Sequence, residues 1–186
     1  MRLKYLYNVS FNAFKPNRLA VFSILATFFA LSVKAYDFEV DGIFYNKGYG
    51  NVCDVTYEKY NANYQYESPY SGEIIIPETV EYDGETYTVI QISGYAFNNC
   101  SNLITVKIPS TVYNIDSDAF ENSGLVYIDI PNTVKSTNAV LFKNCRKLER
   151  VTISNSLKYI NFDWFNGCVS LKDVYIPNYI ISNGSR

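Results

Sequence analysis

The stretch Leu103-Ile104-Thr105-Val106-Lys107-Ile108-Pro109 decides how the chain folds. In Val106-Lys107-Ile108 an apolar residue alternates with a polar one, the period of a strand with one buried face. Pro109 ends that strand, because it has no N–H to give to a ladder. The pattern returns as Leu125-Val126-Tyr127-Ile128-Asp129-Ile130-Pro131 and as Leu148-Glu149-Arg150-Val151-Thr152-Ile153-Ser154. It returns again as Leu171-Lys172-Asp173-Val174-Tyr175-Ile176-Pro177. The four leucines are spaced by 22, 23 and 23 residues.

The agreement runs on inside each unit. Three residues past the proline position stand Val112, Val134 and Leu157, and six past it Ile115, Thr137 and Ile160. Eleven past it come Phe120, Phe142 and Phe165, and three beyond each of these Ser123, Cys145 or Cys168. An earlier copy runs from Ile76-Pro77 through Val89, Ile92 and Ala96-Phe97 to Cys100, with Phe97 20 residues past the proline. Its nine extra residues read as a hairpin around Asp83-Gly84. Val112 and Ile115 sit in a second short extended stretch, and Ser117-Asp118 predicts a polar cap on one helical turn at Ala119-Phe120. Asn99, Asn122, Asn144 and Gly167, two past each Phe, are residue types that accept left-handed backbone. No unit can bury its Leu, Val, Ile and Phe alone, so the coils must stack into a solenoid.

This unit, roughly LxxVxIPxxVxxIGxxAFxxC, resembles the BspA-like subclass of leucine-rich repeats over about residues 72–183. Asp116, Asn138 and Asn161 replace its glycine, Thr137 an isoleucine, Ser154 a proline and Ser123 a cysteine. The resemblance implies a leucine-rich-repeat solenoid, mainly parallel β with short helical turns, preceded by a β-rich N-terminal cap. It also implies an exported binding protein, since the family's members include adhesins and binders of host proteins.

Residues 1–35 read as a signal peptide. They carry Arg2, Lys4, Lys15, Arg18 and Lys34, no acid, and a charge-free run from Leu19 to Val33. Val33-Lys34-Ala35 offers small residues at −3 and −1 of a cut. The run is short for a bilayer span of about twenty residues, and an uncleaved anchor is the alternative. Cleavage leaves 11 Lys and Arg against 18 Asp and Glu, a net charge of −7. Such a chain has no electrostatic draw toward nucleic acid or anionic lipid, and no membrane insertion follows cleavage.

Residues 36–71 form the expected β-rich cap, with a hairpin at Asp41-Gly42 and a strand over 52–57. Tyr57, Tyr60, Tyr64, Tyr66 and Tyr70 crowd its end. They read as a cover for the open core, with a stacking platform for a glycan as the alternative. The repeats occupy 72–186, the last one incomplete. Three readings are open for that end: a truncated product, a piece of a longer array, or an edge used for association.

The chain contains no His. That removes Ser-His and Cys-His nucleophile pairs and the commonest metal ligand. With no CxxC, P-loop or GxGxxG sequence, neither an enzyme nor a metal or cofactor site is expected. Asp116 and Asp118 vary between units as turn residues do. Cys100, Cys145 and Cys168 share one position with Ser123 and read as small packing residues. A disulfide between Cys145 and Cys168, about 5 Å apart on adjacent coils, is the alternative.

The outward strand positions form two columns, Thr105, Tyr127, Arg150, Asp173 and Lys107, Asp129, Thr152, Tyr175. At about 4.8 Å per strand they span roughly 15 Å. Tyr and Arg are enriched at the energetic centres of interfaces, so this face is the candidate binding site for an extracellular or host protein.

Overall fold

The computed structural model describes residues 33–60, 65–137, 140–177 and 181–182. The expected signal peptide lies outside the described residues except for its last three positions. Those begin with β1 (Val33–Lys34). The Asp41-Gly42 hairpin forms, joining β2 (Phe38–Val40) to β3 (Ile43–Lys47), with Val40 opposite Ile43. Antiparallel to β3 runs β4 (Val52–Thr56). A side sheet brings β5 (Lys59–Tyr60) between β1 and β6 (Tyr66–Glu67). Phe38, Tyr45 and Val55 are buried on one face of the meander, and Phe44 is buried on the other, against Tyr70.

The coils begin at β7 (Gly72–Ile75). The nine-residue insertion is the expected hairpin, with β8 (Thr79–Tyr82) antiparallel to β9 (Glu85–Ile92) about Asp83-Gly84. After it, each coil contributes one longer and one two-residue strand. These are β10 (Leu103–Lys107) with β11 (Asn114–Ile115), and β12 (Tyr127–Asp129) with β13 (Ser136–Thr137). They continue as β14 (Arg150–Thr152) with β15 (Tyr159–Ile160), and β16 (Asp173–Tyr175) with β17 (Ile181–Ser182).

Stacking sorts these strands into two parallel ladders. In the first, Ile74 faces Val106, and Ile128 faces Val151, which faces Val174. In the second, Val55 faces Ile92, Ile92 faces Ile115, and Ile115 faces Thr137. Each ladder has one gap among the described residues, between β10 and β12 in the first and between β13 and β15 in the second. The first gap falls at the 22-residue spacing. One residue fewer separates Ser123 from Leu125, and Gly124 is drawn against the neighbouring coil. A Cβ there would lie 2.1 Å from the Ser101 carbonyl oxygen. Two bonds cross this gap, from the N–H groups of Gly124 and Val126 to the carbonyls of Cys100 and Ile104, 2.9 Å each.

The Phe column stacks as the spacing predicts. Phe97 and Phe120 lie 5.3 Å apart, Phe120 and Phe142 5.6 Å, Phe142 and Phe165 5.9 Å, all near parallel. Leu103, Leu125 and Leu148 are buried beside them.

The helical turn before each Phe differs from expectation. Among the described residues only Phe162–Phe165 forms a helical turn, of the 3₁₀ type. Elsewhere alternate N–H groups reach the next coil: Phe97 to the Ala119 carbonyl, Asn99 to Glu121, Phe120 to Leu141, Asn122 to Lys143. This third row of bonds along the stack takes the donors a helix would use. Asp118 is not a cap. Its φ is +56°, and its N–H donates to the Val140 carbonyl at 2.7 Å. The capping carboxamide is Asn161, two residues earlier in the unit, whose Oδ1 accepts from the Asp163 N–H. Asn99, Asn122, Asn144 and Gly167 do take left-handed backbone, with φ from 58° to 79°.

Candidate functional site

The outward columns read from the sequence are real neighbours. Tyr127 lies opposite Arg150 and Arg150 opposite Asp173, while Asp129 lies opposite Thr152 and Thr152 opposite Tyr175. Thr105 and Lys107 sit on β10 across the gap and pair instead with β7, opposite Glu73 and Ile75. Inward neighbours in the same strands are buried, so the split into two faces is complete at Val106, Ile128 and Val151.

Glu73 and Ile75 extend both columns by one strand, and the sequence reading missed them. The signal was present. Ile74-Ile75-Ile76-Pro77 aligns with Val106-Lys107-Ile108-Pro109, which places Ile75 on the outward face. The leading leucine of the unit is replaced by Ser71, and this concealed the strand.

The first column is held by its own side chains. The Arg150 guanidinium stands 5.5 Å from the Tyr127 ring centroid, in cation–π range. From its other end the Tyr127 hydroxyl donates to Glu73 Oε1 at 3.4 Å, a long hydrogen bond that passes across Thr105. A large aromatic ring thus stands on an open sheet face between a guanidinium and a carboxylate. The second column ends in exposed apolar groups, Ile75 at 65% and Tyr175 at 64% of full exposure. Between β7, β10 and β12 the face dips into a groove of about 420 Å³ lined by Glu73, Ile75, Lys107, Tyr127 and Asp129.

The other candidates resolve differently. Tyr66 stacks on Tyr95 at 3.9 Å and meets Tyr57 edge-on at 4.8 Å, so these rings cover one another. Tyr70 is buried, donates to the Thr56 carbonyl and accepts from the Phe44 N–H. Tyr64 lies outside the described residues. All four cysteines are free thiols. Cys145 donates to the Phe120 carbonyl and Cys168 to the Phe142 carbonyl, 3.0 Å each, one coil back along the stack. Burial pushes the Cys145 and Cys100 thiols up to about 12, which suppresses the reactive thiolate. Among the described residues no three His, Cys, Asp or Glu side chains converge on a metal-sized site.

The match to known families settles the repeat. The model of the BspA type leucine rich repeat region, in 6 copies, matches residues 62–185. The chain belongs to this family. Its leucine-rich-repeat fold is seen in a solved structure. A leucine-rich repeat protein from Bacteroides capillosus ATCC 29799 superposes with a TM-score of 0.52 at 20% identity, covering 79% of this chain and 98% of that one. A leucine-rich repeat protein from Bacteroides ovatus ATCC 8483 gives 0.36 at 21% identity, over 78% of this chain and 54% of that one. A leucine rich cell surface protein from Faecalibacterium prausnitzii A2-165 gives 0.47 at 23%, over 79% and 39%. The chain therefore spans about half or less of those last two proteins. No curated protein matches it. Membership of this family points to a protein-interaction module.

Proposed function

We propose that this BspA-type repeat chain is an exported, non-catalytic module that binds an extracellular protein through the first-ladder face, from Glu73 and Ile75 to Asp173 and Tyr175. Export rests on the character of residues 1–35. Cleavage after Ala35 would remove β1, leaving the mature chain to begin at Tyr36. A place at the cell surface or in the medium, and adhesion to host or matrix proteins, are the roles this reading assigns.

The observation that carries it is Tyr127, held between Arg150 and Glu73 on a face that also exposes Ile75 and Tyr175. Rigid aromatics beside an Arg are the composition of interface centres. The glycan alternative has less support, because Tyr57, Tyr66 and Tyr95 spend their faces on one another.

The test is capture of partners from extracellular material on the immobilised chain. Exchanging both Tyr127→Ala and Tyr175→Ala should weaken the captured complex by about a hundredfold or more, as loss of two hot-spot aromatics does. Equal capture by the double variant would reject this face.

A further inference from the structure

The near edge of the first ladder has no partner strand. Among the described residues β7 pairs with β10 on one side and with nothing on the other. The Gly72 and Ile76 N–H groups donate to the Asn102 and Lys107 carbonyls. In a parallel ladder successive residues point their backbone groups to opposite sides, so the N–H and C=O of Glu73 and Ile75 point away from β10. They face a cavity of about 340 Å³ between β7 and the β2–β3 hairpin. Its inner wall is apolar, made by Val40, Ile43, Ile74 and Val80, and its rim carries two acids, Asp41 and Glu73.

Tyr45 also lines this cavity. The residue is fully buried, and its hydroxyl has no hydrogen-bond partner. A buried hydroxyl is ordinarily satisfied. That hydroxyl is closed off behind the wall, so what coincides here is an open strand edge and an apolar hollow beside it.

We propose that the β7 edge is a strand-addition site for an extended polypeptide whose inward residues are small and whose outward residues are basic. The proposal rests on the protein-binding reading above and extends that face by one strand. The backbone of the added strand pairs with Glu73 and Ile75, which gives affinity without regard to sequence. Side chains alternate, so every second one enters the hollow and those between stand beside Glu73 and Asp41. That alternation, together with the two acids, specifies the occupant.

The probe is the acetylated and amidated peptide Lys-Val-Lys-Thr-Lys-Val-Lys, titrated into the chain by nuclear magnetic resonance or fluorescence anisotropy. Its counterparts carry Glu in place of Lys, or N-methyl groups on alternate amides. The Lys peptide should bind saturably below about 1 mM, and either counterpart should lose about tenfold or more. Ile75→Pro removes an N–H that β10 does not use, and it should lower Lys-peptide binding about tenfold. Tyr159→Ala, exposed on β15 of the second ladder, should leave it unchanged. Equal binding of the N-methylated peptide, unimpaired binding by Ile75→Pro, or no saturation at about 10 mM would overturn the site. The N-methylated peptide tests backbone pairing on unaltered protein, so misfolding of a variant cannot mimic success. Capture that falls with the Tyr127 and Tyr175 exchanges while the peptide fails to bind would retain the face and remove the edge.

Discussion

The two ladders are built from the same coils and end differently. On the near side the second ladder is extended, because β4 pairs with β9 and continues through β3 to an edge at β2. The first ladder stops bare at β7. Their outward rows differ as well. The second carries a quiet polar row, in which Asp54 and Asn114 pair with Gln91 and the Asn114 carboxamide donates to Gln91 Oε1 at 2.9 Å. The first carries charges and aromatics together, Glu73, Tyr127 and Arg150 in one column and Tyr175 in the other. A cap in this fold therefore need not seal the whole stack. It extends one sheet and leaves the first strand of the other bare.

The largest effect expected breaks both ladders at once. Phe120 stacks between Phe97 and Phe142 in the shared core. Phe120→Ala should cost about 3–5 kcal/mol in chemical denaturation, with amide protection lost on both ladders together. Loss confined to one ladder would show that the sheets do not share a core. Gly124→Ala should cost about 3 kcal/mol, since its Cβ would meet the Ser101 carbonyl at 2.1 Å. Its damage should centre on the first ladder, with faster hydrogen exchange at Val126 than at Asp116.

Smaller changes sharpen the contrast. Thr111 and Thr133 occupy one repeat position between the ladders, and each has a buried hydroxyl without a partner. Thr111→Val and Thr133→Val should each raise stability by about 1 kcal/mol in denaturant titrations. A loss of stability in either would mean that its hydroxyl is satisfied in solution. The subtlest test is Asp54, whose carboxyl is held above its ordinary range by burial and then by the nearby Asp116. A raised folded value means the protonated form is the better fit. Its stabilisation is present below the unfolded value near 3.8 and lost as pH rises through the folded one. Asp54→Asn should thus raise the thermal midpoint at neutral pH, and the gain should vanish in acid.

Much of this was legible because each unit repeats its inward residues. Val106, Ile128, Val151 and Val174 had to share a face, and the columns from Thr105 to Tyr175 followed by counting. The turn after the second short strand was less legible. Ser117-Asp118 has the composition of a helix cap, but the competing bonds come from the next coil, and no local sequence encodes that partner. Glu73 and Ile75 were hidden by Ser71 in a leucine position. The open edge at β7 was invisible for a further reason: which ladder the cap would join depends on the pairing of Val55 with Ile92, a contact across 37 residues.

The gaps in the ladders are offset by one coil. Where β10 and β12 fail to pair, β11 and β13 are joined; where β13 and β15 fail to pair, β12 and β14 are joined. As in bonded brickwork, every missing joint is spanned by an unbroken course. A crack opening at either gap meets an intact seam before it can cross the molecule, so the coils should melt as one block instead of shedding from an end.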